Sequence, residues 1–214
     1  MPPALPGNEP VRGFAFSTVI LAAGFSRRMG QSKPLLQWEG TTVIAHVLQL
    51  WNDLGARRVM PVVRPDDSAL ASELDRLGVP RELRIVNHNA EHGMFSSIQA
   101  AARSSMSTAS ATHVVLTLID QPHLNAEMIK PLLEFASLHS ESICQPSYQG
   151  RGRHPLVFPA QLFAMLKHHA GPTLKEFMAE HAGRRSAVEL NDPRLNEDID
   201  TPEDYERLRQ LCKK

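Results

Sequence analysis

The stretch "STVILAAGFSRRMGQSKPLL", residues 17–36, decides how this chain is read. Residues 17–23 form a short apolar run bounded by Gly24, the pattern of a buried strand. Beyond it the chain turns small and basic. Ala22, Ala23 and Gly24 keep side chains small, so backbone N–H groups can approach an anion. Ser26 adds a hydroxyl donor, Arg27, Arg28 and Lys33 bring three cations, and Gly30 permits a turn. No Gly-Lys-Ser/Thr closes the loop, and no Gly-x-Gly-x-x-Gly is present. Composition alone fits a basic solvent loop as well as a phosphate cradle.

Outward from this stretch, apolar runs alternate with helix-like segments. Helical spacing covers 41–56, with Thr41 or Thr42 to cap it and Gly55 to close it. A second strand covers 57–63, where Pro61 implies an edge position or an early end. A helix over 66–78 capped by Asp66 or Asp67, a strand over 83–88 and a helix over 95–106 lead to 112–120, the clearest central strand. Then come a helix over 125–139, bent or begun around Pro131, and short strands at 142–148 and 154–159. Helices at 159–169 and 173–183, a strand at 186–191 and a helix at 201–211 complete the pattern, the last opened by a Thr201–Asp204 capping box. Strand–helix alternation predicts an α/β fold, a single three-layer α/β/α domain on a mainly parallel, Rossmann-like sheet. Ligands then bind beyond the carboxyl ends of the strands, after residues 23, 88 and 120.

The chain has 214 residues, enough for one sizeable core. Residues 1–14 read as a flexible Pro-rich leader, and 15–212 as one domain. Arg12 followed by "GFAFSTVILAAG" imitates a signal peptide, but the run leads into Arg27 and Arg28 and is taken as the first strand. Lys plus Arg and Asp plus Glu number 23 each, so there is no basic excess of the kind general nucleic-acid binders carry. No stretch is apolar enough to span a membrane. Two lone cysteines, Cys144 and Cys212, suit a reducing cytoplasm.

The order of residues in the opening loop resembles the Leu-Ala-Ala-Gly-x-Ser-x-Arg-Met-Gly-x-x-Lys signature of nucleotidyltransferases of the nucleotide-diphospho-sugar type. It is similar above all to the MobA-like NTP transferases of molybdenum cofactor synthesis. Leu-Ala-Ala-Gly, in place of Leu-Ala-Gly-Gly, points to the cytidylyl (MocA-like) side. The resemblance implies an NTP held by Leu21, Ala22, Ala23, Gly24, Ser26, Arg28 and Lys33. Three later stretches extend it over most of 17–211. "NHNAEHGMFSSIQAA" (87–101) resembles the family segment that borders the base, which assigns Gly93, Met94, Ser96 and Ser97 there; the same serines also suit a helix start. "VVLTLIDQPHL" (114–124) implies Asp120 as a ligand of Mg²⁺, with Mn²⁺ as a substitute. "NEDIDTPEDYERL" (196–208) resembles the closing motif whose Asp before Thr-Pro is the second ligand, here Asp200 with Asp198 the fallback; it also reads as a helix start.

"YQGRGRHPLVF" (148–158) is similar to the segment lining the acceptor site, with Gly152, His154 and Pro155 matching and Arg153 standing where the family has glycine. Residues 168–178, "HHAGPTLKEFM", depart from the Gly-Asp-x-Gly-Ala-Arg of cofactor cytidylyltransferases. The resemblance thus implies transfer of NMP, CMP from CTP, to a phosphorylated small-molecule acceptor of the molybdopterin type, with release of pyrophosphate. Arg28, Lys33 and Asp120 are the catalytic candidates, and a molybdoenzyme or its maturation factor is the candidate partner. The rivals are a guanylyltransferase of the same pathway, a transferase for another phosphorylated acceptor, and a non-catalytic cofactor-binding module. A dinucleotide-dependent oxidoreductase fits the alternation but lacks the glycine fingerprint.

Overall fold

A computed structural model describes residues 13–212. Residues 1–12 of the expected leader lie outside the described residues; Phe14 stacks on His113 at 4.7 Å between ring centroids. In chain order the elements are β1 (Phe16–Leu21), β2 (Gln37–Trp38), β3 (Thr41–Thr42), α1 (Val43–Asp53), β4 (Val59–Val63), α2 (Ser68–Arg76), β5 (Ile85–Val86), α3 (Met94–Arg103), α4 (Ser105–Thr108), β6 (His113–Leu118) and α5 (Ala126–Leu138). They continue as β7 (Ile143–Tyr148), β8 (Arg151–Gly152), β9 (Leu156–Pro159), α6 (Ala160–Met165), α7 (Leu174–Glu180), β10 (Arg185–Glu189) and α8 (Pro202–Leu211).

The main sheet runs in the order β10-β7-β9-β6-β1-β4-β5, with β8 on β7. β1 pairs parallel with both β4 and β6, β5 is parallel to β4, and β10 to β7; β9 runs against its neighbours β6 and β7, and β8 against β7. The carboxyl ends of β1, β4, β5 and β6 therefore share one rim. β1 alternates in two directions: Phe16 and Ile20 pack with α1, α2, α5 and α8 on one face, Val19 and Leu21 with α3, α6 and α7 on the other. Burying each large side chain such as Ile20 contributes about 1.5–3 kcal/mol, and the two faces together make the three layers expected from the alternation.

Pro61 is not on an edge strand. β4 lies between β1 and β5. Residue 62 turns its carbonyl to Ala22 of the β1 side, and residue 63 turns its own to Asn87 beyond β5. Residue 61 thus faces the β5 side, where pairing begins only at Val62↔Ile85. The proline costs no ladder bond. Pro131 does not begin a helix: α5 runs through it, and the Glu127 carbonyl that loses its donor belongs to an exposed residue. Thr42, Asp67 and Asn125 cap α1, α2 and α5, and the Thr201–Asp204 capping box opens α8. Among the described residues no helix is long and apolar enough to cross a membrane, and neither cysteine is in a disulfide.

Candidate active site

The loop after β1 opens at the shared rim. Leu21, Ala22, Ala23, Gly24 and Ser26 line a cavity of about 300 Å³, together with Lys33, Gly93, Met94, Ser97 and Asp120. Residues expected to hold the triphosphate, the base and the metal are thus brought to one hollow. The loop closes on itself, since Ser26, at φ 49°, accepts the Lys33 N–H on its hydroxyl at 3.2 Å. Gly93, at φ 90°, turns the chain into α3 in a conformation that glycine adopts freely. Gly93 and Met94 place the start of α3 at the cavity wall, and a helix N-terminus favours anions.

Charge concentrates beside the cavity. Lys33 Nζ lies 2.9 Å from Asp200 Oδ1 and 3.5 Å from Asp120 Oδ2, with only 14% of its side chain exposed. Arg28, largely in solvent, pairs with Asp200 Oδ2 at 2.9 Å. Asp198 is exposed and pairs with neither cation. Burial raises the carboxyl pKa of Asp120, with Lys33 pulling it down and the neighbouring Asp198 and Asp200 pushing it up further. The hydrogen bond from Lys33 lowers that of Asp200. Asp120 Oδ1 is buried without a hydrogen-bond partner. Such an orphaned hard oxygen suits a divalent cation, which takes one or two carboxylates and completes its shell with water and phosphate. Among the described residues no group of three or more His, Cys, Asp or Glu is arranged to hold a metal, so Asp120 and Asp200 are the donors on offer.

Backbone stitching fixes these carboxylates. The Ile199 N–H donates to the Asp120 carbonyl at 2.8 Å, and the Gln121 amide to the Glu197 carbonyl at 3.4 Å. His123 Nε2 lies 2.9 Å from the Arg194 carbonyl oxygen. The segment 194–199 is thereby sewn to 120–123, and Asp200 is carried to Lys33. On the base side, buried Asn87 donates to the hydroxyls of Ser96 and Ser97, both at 2.9 Å, and accepts the Asn89 N–H at 3.0 Å. Ser96 is spent inside the protein, donating to the Gly93 carbonyl, while Ser97 also lines the cavity.

The acceptor candidates stand apart from this cavity but on the same rim. Continuing the β6–β9 register from Leu116↔Leu156 by two residues places His154 opposite Leu118, two residues before Asp120. His154 Nδ1 is buried without a partner, burial lowers the imidazole pKa, and a cis bond joins His154 to Pro155. Gly152 meets Gln145 so closely that a Cβ there would stand 2.2 Å from its side-chain nitrogen and would push the Gln145 amide aside. The departing residues 168–178 are structural: His169 packs edge-on against Phe95 and Phe177, and Gln99 ties its carbonyl to α3.

Two residues escaped the sequence reading. Asn87 was quoted within a motif without a role, and Arg64 was not singled out at all. Arg64 reaches back from the end of β4 to the opening loop, where Nη1 donates to the Gly24 carbonyl at 2.8 Å and the guanidinium covers the Phe25 ring at 4.5 Å. No local signal marks an arginine that acts across 40 residues of chain.

Comparison with known proteins identifies the family and the fold. The model of the MobA-like NTP transferase domain matches residues 18–186. The purine catabolism protein PucB of Bacillus subtilis is 30% identical over 204 residues, covering 90% of this chain and 95% of that protein. The molybdenum cofactor cytidylyltransferase of Escherichia coli is 24% identical over 195 residues, covering 89% and 94%. Guanylyltransferases of the same cofactor are also among the relatives. The crystal structure of Rv0371c from Mycobacterium tuberculosis in complex with manganese superposes with a TM-score of 0.65 at 25% identity, covering 92% of this chain and 98% of that one.

Proposed function

The chain belongs to the MobA-like NTP transferase family, and on that premise we propose that it transfers CMP from CTP to a phosphorylated acceptor of the molybdopterin type and releases pyrophosphate. The observation that carries the reading is Lys33 held between Asp120 and Asp200 beside the cavity of the opening loop. The choice of cytosine is supported by Ala23, a cavity-lining residue at the position where the guanylyl signature has glycine. It is also supported by the cytidylyltransferase among the relatives.

An oxygen of the acceptor phosphate attacks the α-phosphorus in line. The new O–P bond forms as the bond to the β-phosphate oxygen breaks, and its electron pair leaves with pyrophosphate. No covalent intermediate on the protein is needed, and the acceptor, already a phosphate monoester, needs no general base. The chain contributes position and charge. Backbone N–H groups from Ala23 to Ser26 cradle phosphate oxygens, Arg28 and Lys33 neutralise the triphosphate, and Lys33 follows charge onto the α-phosphoryl group. Asp120 and Asp200 would hold a Mg²⁺ or Mn²⁺ ion, whose bound charge would offset the phosphates and the leaving group. Gly152, His154 and Pro155 border the acceptor.

The relative named for purine catabolism supports a place for the reaction in that context. The test is pyrophosphate release from CTP, GTP, ATP and UTP in turn, with Mg²⁺ and molybdopterin or its molybdenum form. Release with CTP alone is expected. Release with GTP alone would make the chain a guanylyltransferase, and binding without release would make it a cofactor-binding module.

A further inference from the structure

Arg64 does not line the nucleotide cavity. It borders a separate, shallow hollow on the outer side of the opening loop, with Gly24, Phe25, Ser26 and Arg27. Its charge is already matched, since Nε lies 3.0 Å from Asp66 and Nη2 3.5 Å from Asp67. Only 15% of its side chain is exposed. What remains is Nη1, which donates to the Gly24 carbonyl at 2.8 Å and, more weakly, to that of Ala23 at 3.5 Å.

In a trans peptide the carbonyl of one residue and the N–H of the next point in opposite directions within the peptide plane. Carbonyls 23 and 24 are drawn outward, toward Arg64. The N–H groups of Gly24 and Phe25 must then point inward, toward the cavity that Ala23, Gly24 and Phe25 line. Neither N–H donates to another group among the described residues. Both residues are exposed, so water serves these donors in the free protein and a phosphate oxygen can take its place. The Phe25 ring, clamped between Arg64 at 4.5 Å and Arg27 at 5.2 Å, keeps the loop from rotating back.

We propose that Arg64 is a positioning residue for the nucleotide: by anchoring the Ala23 and Gly24 carbonyls from outside, it presents the Gly24 and Phe25 N–H groups to the phosphates. The inference rests on the NTP-binding reading of the cavity. Arg64 never touches the ligand, so its loss disorders two donors without removing a cation from the site.

The test uses the full chain, as wild type, Arg64→Met and Arg64→Lys, with inorganic pyrophosphate and CTP as probes. In the wild type, pyrophosphate should slow hydrogen exchange at the Gly24 and Phe25 amides. Arg64→Met should weaken pyrophosphate binding and raise the CTP KM by about tenfold or more, the scale of one charge-assisted hydrogen bond. The change in kcat should be smaller, and amide exchange across 22–26 faster. Arg64→Lys, which keeps a donor but loses the planar stack, should recover part of the affinity. Unchanged pyrophosphate affinity in Arg64→Met, or no protection of these amides in the wild type despite tight binding, would overturn the role of Arg64 alone. A wild type that binds neither CTP nor pyrophosphate would overturn the site reading itself.

Discussion

Replacing Lys33 with methionine separates the two duties of that side chain. Lys33 binds the triphosphate in the proposed reaction, but in the free protein it is the counter-ion of two carboxylates. At 2.9 Å from Asp200 and 3.5 Å from Asp120, the Coulomb attractions are about 6 and 5 kcal/mol at an effective dielectric constant of ~20. Most of this gain is offset by taking the ammonium out of water, at several kcal/mol per ion. Arg28 remains on Asp200 after the change. A net loss of about 2 kcal/mol follows, below the ~3–5 kcal/mol of a fully buried broken pair because Asp120 and Asp200 keep some contact with solvent. For a chain of this length that is a fall in Tm of roughly 4–8 °C. Mn²⁺ should restore it, because the carboxylates left without a counter-ion gain one. In the wild type the ion must first displace Lys33, so Mn²⁺ should raise Tm less. The assay is a melt of both proteins with and without Mn²⁺, in the absence of nucleotide. A Lys33→Met protein as stable as the wild type without metal, or one that Mn²⁺ stabilises no more than the wild type, would refute the reasoning.

Three further outcomes are expected. Asp120→Ala should abolish pyrophosphate release while circular dichroism stays that of the wild type; near-normal turnover would remove Asp120 from the metal site. Asn87→Ala takes from buried Ser97 its amide partner, while Ser96 keeps the Gly93 carbonyl and the Asn89 N–H can turn to water, so it should cost about 1–2 kcal/mol in urea unfolding and raise the CTP KM. Glu73 accepts hydrogen bonds from Arg76 and from Thr42 at the start of α1, and the Arg76 bond foremost lowers its pKa from 4.5 to about 2. A depressed carboxyl pKa contributes stability above its unfolded value and loses it as pH falls through the folded one. Glu73→Gln should therefore lower stability by about 1 kcal/mol at neutral pH, given how solvated Arg76 is, and the difference should shrink between pH 4.5 and 2.

Much of this was legible in the sequence because it is local. The 17–23 run, the alternation around it and the Thr201 capping box each lie within a dozen residues, where periodicity and turn chemistry act. Pro61 was misread because its effect depends on where β5 begins, more than 20 residues later. Of the two readings of Pro131, the helix start fails because tertiary packing of Met128, Ile129, Leu132 and Leu133 outweighs one lost helix bond. Arg64 was overlooked because its partners are backbone carbonyls, which carry no residue identity to recognise. The site residues found from the opening loop were visible because small, hydroxylated and cationic residues fall together there.

The seam between 120–123 and 194–199 also sets an order of events during synthesis. A nascent chain completed to residue 190 already holds the opening loop, both cations and Asp120, but lacks the Ile199 N–H, Asp200 and the α8 side chains that pack against the sheet. A domain generally folds as a unit. Until the last strip arrives, Arg28 and Lys33 have no Asp200 to neutralise them, and the face that Leu195, Ile199, Tyr205 and Leu208 cover stands open beside Trp38. Truncation near residue 195 would therefore leave a sheet that can pair and an anion trap without its restraint, a species suited to capture by a chaperone.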